Sequence, residues 1–186
     1  MKRLWDIALV LLVATTIALP LLLLMVLVRL TSKGPALYWS NRVGIHSKLF
    51  RMPKLRTMQI GAPVVATHLL GNADQYLTCI GAFLRRTSLD ELPQLWCILL
   101  GDMRFVGPRP ALFNQYDLIA LRKAHGVDAI APGLTGWAQI NGRDKLSIEE
   151  KLRFDTEYLR RRSWWFDIVI LWKTFTKVLR RDGISH

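Results

Sequence analysis

"IALVLLVATTIALPLLLLMVLV", residues Ile7–Val28, is an apolar run broken only by Thr15, Thr16 and Pro20. Its length meets the roughly 20 residues a helix needs to cross a bilayer. A cleaved leader is disfavoured: the run is long, and Arg29 and Lys33 follow it where a small-residue cleavage site would stand. Pro20 has no N–H to donate, and its ring crowds the carbonyl of Thr16. A kinked spanning helix tolerates this, and a re-entrant hairpin would exploit it. The flanks do not choose, because Lys2 and Arg3 before the run balance Arg29 and Lys33 after it. On the residues alone, both topologies stay open.

The rest of the composition fits a membrane surface. The chain has 186 residues, enough for one substantial core beside a membrane element. It is 51% hydrophobic, yet 26 Lys and Arg against 14 Asp and Glu give a formal charge of +12. Such an excess attracts phosphorylated molecules and anionic lipid headgroups. Seven Trp favour the headgroup level of a membrane, where indole rings collect. Nucleic acid is not expected as a partner, since no recognition helix or aromatic platform is visible. Cys79 and Cys97 form no Cys/His cluster, and both thiols are expected to be free. His46, His68, His125 and His186 show no ligand spacing.

Along the chain, Gly34-Pro35 marks a turn, and extended segments are expected on either side of Gly44, with Pro53 arguing against a central strand. Leu92, Leu95, Trp96 and Leu99 predict one helical face over Leu89–Leu100, stopped by "GDMRFVGPRP". "NQYDLIALRKAHG" predicts a helix ending near Gly126, and "APGLTGWAQINGRD" (Ala131–Asp144) reads as loop-rich. Ser147 and Glu150 form a capping box for a following helix. Beyond Ser163, Trp165, Ile168, Trp172, Phe175 and Leu179 make an apolar stripe beside Lys173, Lys177, Arg180 and Arg181. That pattern suits a helix lying in a membrane interface, and equally a core-facing helix with a solvated side.

The chemistry centres on "RRTSLDELPQLW", Arg85–Trp96. Ser88 and Glu91 have the spacing of a capping box, with Asp90 in the first turn, where a carboxylate is favoured. The alternative is that Asp90 and Glu91 form a reactive acidic pair. What surrounds them bears on the choice: "PKLRT", "RRTSLDE", "VGPRP" and "NGRD" each set Arg or Lys near Gly, Pro or the acidic pair. Arginine forks on rigid backbone suit phosphate oxygens. No Walker loop or Ser/His/Asp arrangement is visible, so phosphoryl transfer rises above capping alone.

In order and spacing, "KRLWDIALVLLVA", "PKLRTM", "LRRTSLDELPQLW", "GDMRFVGPRP", "PGLTGWAQINGR" and "LRRDGIS" resemble the bacterial sugar transferase family, its small monotopic members acting on polyprenyl phosphate. The resemblance covers nearly the whole chain. It implies an α-rich α+β fold: residues 1–33 a re-entrant membrane helix broken at Pro20, and 34–186 a small cytoplasmic catalytic domain with interfacial amphipathic helices. Leu19 stands where the family usually has Ser before the proline, and the multi-span N-terminal region of longer relatives is expected to be absent. The implied reaction moves a sugar 1-phosphate from a nucleotide diphosphate sugar, expected to be a UDP-sugar, to polyprenyl phosphate. Asp90 corresponds to the nucleophile and Mg2+-associated carboxylate, and Glu91 to its partner. Lys54, Arg56, Arg86, Arg109 and Arg143 correspond to phosphate contacts. The implied location is the bacterial inner membrane, with anionic lipids as further partners and homo-oligomerisation left open. The competing reading is a non-enzymatic membrane-anchored scaffold or anionic-lipid binder. The intact "SLDE" and the basic motifs argue against it.

Overall fold

The computed structural model describes residues 2–65, 73–142 and 146–180. Helix α1, Lys2–Thr31, is the one described helix long and apolar enough to cross a membrane. It runs through Pro20 as a single element, so the break expected there is not an element boundary. Its side chains divide into two faces. Asp6, Val10, Val13, Ile17, Leu21, Leu24 and Val28, spaced by three or four, are buried or half-buried. Leu4, Leu12, Leu19, Leu23 and Leu30 are exposed. Spacing of this kind puts the covered residues on one stripe.

The stripe packs against the rest of the chain over most of the helix. Val10 lies in the main core with Ile98, Met103, Phe166 and Ile170, while Val28 packs with Leu55 and Leu84. At the N-terminal end, the Arg3 guanidinium donates to the carbonyls of Ile98 and Leu99, and Arg104 donates to Asp6 Oδ2 at 2.7 Å.

Strands β1 (Leu37–Val43) and β2 (Leu49–Leu55) are the expected extended segments, and they pair as an antiparallel hairpin in register from Leu37↔Leu55 to Val43↔Leu49. The positive-φ residues of its turn are His46 and Ser47, not Gly44. Pro53 sits inside β2 opposite Trp39. A two-stranded ribbon has only edge strands, so a missing donor is tolerated.

Helix α2, Gly81–Thr87, seats against the end of the hairpin, where a Cβ on Gly81 would lie 2.2 Å from the Thr57 carbonyl oxygen. Ser88 then takes a left-handed conformation (φ 57°) and ends α2, donating its N–H to Arg85 O. A 3-10 segment, Leu89–Gln94, leads into α3, Leu95–Leu100. This corrects the expected single helix. Pro93 cannot donate to a carbonyl four residues back, so the α-helical ladder starts only beyond it. The face shifts accordingly: Leu95 is buried and Trp96 is exposed. No Ser88–Glu91 capping box forms. Glu91 N–H bonds the Ser88 carbonyl, and the Glu91 side chain points to cations elsewhere.

Gly101, at φ 101°, ends α3. Strand β3 (Arg104–Val106) runs parallel to β4 (Gly133–Thr135), and α5 (Trp137–Asn141) follows β4. The "PGLTGWAQIN" stretch is therefore structured rather than loop-rich. Its glycines permit close approach instead of merely making turns: a Cβ on Gly133 would fall 2.1 Å from Gly107 N, and one on Gly136 2.1 Å from Gly107 O. Helix α4 (Tyr116–Ala124) ends before Gly126 as expected. Helix α6 (Ile148–Arg161) opens with the Ser147–Glu150 capping box in place. Helix α7 (Trp164–Arg180) buries Phe166 and Ile170, and exposes Trp165, Ile168, Trp172 and Phe175. The side chains of Leu179 and Arg180, and Arg181 as a whole, lie outside the described residues.

Gly133→Ala should destabilise the protein by at least the 1–3 kcal/mol typical of overpacking, because backbone rather than a flexible side chain must give way. Urea unfolding in detergent reads this, and an unchanged midpoint would mean that the Gly107–Gly133 contact is not made.

Candidate active site

Asp90 and Glu91 share the 3-10 segment, and their surroundings differ sharply. Glu91 Oε1 accepts from Lys54 Nζ of β2 at 3.1 Å and from Arg109 Nη2 of the "GPRP" loop at 2.6 Å. Both are charge-assisted contacts. Burial alone would raise the Glu91 carboxyl, but Arg109 and Lys54 reverse this and hold it well below the usual carboxylate range. Glu91 therefore stays ionised. Asp90 is 6% exposed and makes no ion pair or hydrogen bond through its side chain among the described residues. Burial pushes its carboxyl up, Glu91 adds to this, and Lys54, Arg85 and Arg109 oppose it.

The cations outnumber the acids. Burial pushes the Lys54 ammonium down, with Arg109 and Arg42 adding to it against Glu91 and Asp90. Lys54, Arg109, Arg42 and Arg85 thus act on a cluster with two carboxylates. Such a surplus favours an incoming polyanion.

The expected site residues are only partly brought together. Asp90, Glu91, Lys54 and Arg109 form the cluster. Arg56 bonds the Pro35 carbonyl at 2.8 Å and lies over the Tyr38 ring, away from Glu91's two cations. Arg86 is exposed; its neighbour Arg85 is half-buried, bonds Thr57 Oγ1 at 3.1 Å and is felt by Asp90. Arg143 lies outside the described residues. Sequence reasoning missed Arg42 and Arg85. Nothing in "SNRVG" hinted at the first, and the second was hidden because consecutive arginines differ only in which way α2 turns them.

Asp90 and Glu91 are the carboxylates here that could hold Mg2+. Among the described residues no group of three or more metal-ligating side chains occurs, but Mg2+ is commonly held by one or two carboxylates together with substrate phosphates. Asp90 makes no ion pair among the described residues, whereas Oε1 of Glu91 already accepts from two cations.

With this geometry described, comparisons with known proteins place the chain. A model of the bacterial sugar transferase family matches residues 1–181. The chain belongs to that family. It is 37% identical over 201 residues to the undecaprenyl-phosphate galactose phosphotransferase of Salmonella typhimurium, an alignment covering 98% of this chain and 41% of the relative. It is 40% identical over 185 residues to the UDP-glucose:undecaprenyl-phosphate glucose-1-phosphate transferase of Escherichia coli, covering 95% and 40%. A sugar transferase of Bacillus subtilis, EpsL, is 36% identical over 186 residues, covering 100% and 91%. This family member therefore spans about two fifths of the length of the first two relatives and most of the third.

Asp90's environment sets a pH-dependent cost. A carboxyl whose pKa is raised on folding binds its proton more tightly in the folded state, so its contribution to stability is present at low pH and lost as pH rises through the folded value. Asp90→Asn should therefore melt higher than wild type at pH 7, each kcal/mol relieved being worth about 2–4 °C in a chain of this size. The gain should close as pH falls toward the ordinary value of 3.8. Calorimetry across that range tests it, and a variant less stable than wild type at pH 7 would contradict the unpaired buried carboxylate.

Proposed function

We propose that this chain is a phosphoglycosyl transferase that moves a sugar 1-phosphate from a nucleotide diphosphate sugar to polyprenyl phosphate at the bacterial inner membrane. The observation carrying this reading is a buried, unpaired Asp90 beside a Glu91 clamped by two cations, within a surplus of positive charge. A decayed, non-enzymatic scaffold would have no reason to keep that arrangement. The names of the relatives, which include UDP-glucose and undecaprenyl phosphate, support a UDP-sugar donor and a polyprenyl phosphate acceptor.

In the first step an Asp90 carboxylate oxygen attacks the phosphorus bearing the sugar. A P–O bond to Asp90 forms, the anhydride P–O bond breaks, and the nucleoside monophosphate leaves with the electron pair. In the second step a phosphate oxygen of the polyprenyl phosphate attacks the same phosphorus and expels the Asp90 carboxylate. Neither step needs a proton, because nucleophile and leaving group are anionic in both. Arg109 and Lys54 face the charge that spreads over the phosphoryl oxygens, and Glu91 holds those two cations in place. Asp90 would be the carboxylate to hold Mg2+, which when bound would supply further charge neutralisation. Arg85 and Arg42 complete the cationic wall, and Arg56, Arg86 and Arg143 stay as candidates for the outer parts of the donor.

The helix faces support a topology. A spanning helix brings only one end to a domain on one side of the bilayer, whereas Arg3 and Asp6 at one end of α1 and Val28 at the other all contact the same domain. This supports residues 1–33 as a one-sided, re-entrant element under a cytoplasmic domain of residues 34–186. The exposed Leu side chains of α1 then meet lipid. Trp165, Ile168, Trp172 and Phe175 of α7 extend the apolar surface, with Trp5 and Trp164 in edge contact at 6.1 Å between the two helices.

Two measurements test these readings. Asp90→Asn should lower turnover of UDP-glucose and UDP-galactose with undecaprenyl phosphate by at least about 10³-fold. Wild-type Asp90 should carry a phosphohexose after single turnover, read by mass spectrometry. Near-wild-type rate in the variant, or no adduct at Asp90, would sink the mechanism. Separately, with Cys79 and Cys97 replaced by serine, single cysteines at Lys2 and Ser32 should both resist an impermeant maleimide in intact cells and react after lysis. Labelling of position 2 alone before lysis would mean that α1 spans.

A further inference from the structure

Three consecutive carbonyls of Pro108-Arg109-Pro110 each accept a hydrogen bond from a different element. Gly133 N–H of β4 donates to Pro108 O at 2.9 Å, Arg122 Nη1 of α4 to Arg109 O at 2.8 Å, and Arg42 Nη1 of β1 to Pro110 O at 3.1 Å. The middle contact has its own support. Arg122 donates to Asp155 Oδ2 of α6 through Nε at 3.0 Å and Nη2 at 2.6 Å, and the two side chains are only 11% and 2% exposed.

Stability is a poor explanation for this pair. Desolvation offsets the attraction between buried charges, and apolar residues of similar volume often serve as well or better. Burial even pushes the Asp155 carboxyl up, against the pull of Arg122. What the pair does supply is direction: a guanidinium fixed on one side by a carboxylate aims its remaining corner at one backbone oxygen. That oxygen belongs to the residue whose side chain meets Glu91.

We propose that Asp155 and Arg122 are positioning residues for phosphotransfer, fixing the Arg109 backbone so that its guanidinium meets Glu91 and the donor diphosphate in one place. The inference rests on the transferase reading above. Neither residue touches substrate; both act through Arg109. A misplacement of about 1 Å at such a site can cost on the order of 100-fold in rate.

The test is a double-mutant cycle on the full chain in detergent, with UDP-glucose and UDP-galactose as donors and undecaprenyl phosphate as acceptor. Asp155→Asn and Arg122→Lys should each lower kcat/KM by about 10- to 100-fold, because neither replacement can hold the carboxylate and the carbonyl together. Combining Asp155→Asn with Arg109→Ala should be no slower than Arg109→Ala alone, within about twofold, since the pair has nothing left to position. Losses that multiply would mark a general structural role and overturn the inference. Should the single variants fold poorly, the double replacement Arg122→Met with Asp155→Leu restores an apolar contact. That protein should fold and remain slow, and a wild-type rate from it would also overturn the inference. Wild-type turnover with multiplying losses rejects this inference alone, whereas a wild type inactive with both donors rejects the transferase reading and this inference with it.

Discussion

One carboxylate oxygen, Oε1 of Glu91, joins the parts of the chain that make the site. Lys54 comes to it from the hairpin and Arg109 from the loop after β3, while Glu91 itself rides on the 3-10 segment between α2 and α3. These elements are far apart in sequence, so the contact depends on how each is held. The hairpin meets α2 through the close approach at Gly81, and the Arg109 loop crosses β4 where Gly107, Gly133 and Gly136 leave no room for a Cβ. Burying an ionised group with two cations is tolerable only because all three charges satisfy one another. The glycines set the backbone spacing that makes this possible.

The membrane element belongs to the same construction. Arg3 caps the last turn of α3, where carbonyls lack intrahelical partners and the negative end of the helix favours a cation. The Asp6–Arg104 pair fixes the start of β3, which leads to the Arg109 loop. The N-terminal end of α1 is thus bound to segments that lead directly to the site. The apolar helix and the Asp90–Glu91 cluster are therefore linked through these segments.

Much of this was legible in the sequence where local rules govern. The apolar run, the hairpin, α4 and the Ser147–Glu150 box follow from periodicity and capping chemistry that neighbouring residues decide. The failures occur where distant residues compete. Ser88 and Glu91 have the right spacing for a box, but Lys54 and Arg109 offer the Glu91 carboxylate a stronger partner than a backbone N–H. Glycines in "PGLTGW" looked like loop formers because their close contacts are with "VGP", about 30 residues earlier, which no local pattern reveals. Arg56 and Arg86 illustrate the same limit. A basic residue next to a motif is visible, but whether it turns toward the acids depends on strand register and helix phase.

The split between Asp90 and Glu91 is the feature on which function turns. Adjacent residues on a 3-10 segment point about a third of a turn apart, so neighbouring carboxylates can occupy different environments. Here one accepts from two cations through Oε1 and the other is buried with no ion pair among the described residues. A carboxylate already bridging Lys54 and Arg109 would have to surrender both contacts to attack phosphorus, and its electron density is drawn toward them. A buried carboxylate with no ion pair to a protein cation among the described residues has no such contact to surrender. In the proposed reaction, substrate phosphates would repel an anionic nucleophile, and the cations held by Glu91 would offset that repulsion. In the proposed mechanism the two acids therefore divide the work: Glu91 holds Lys54 and Arg109, and Asp90 is the group that reacts.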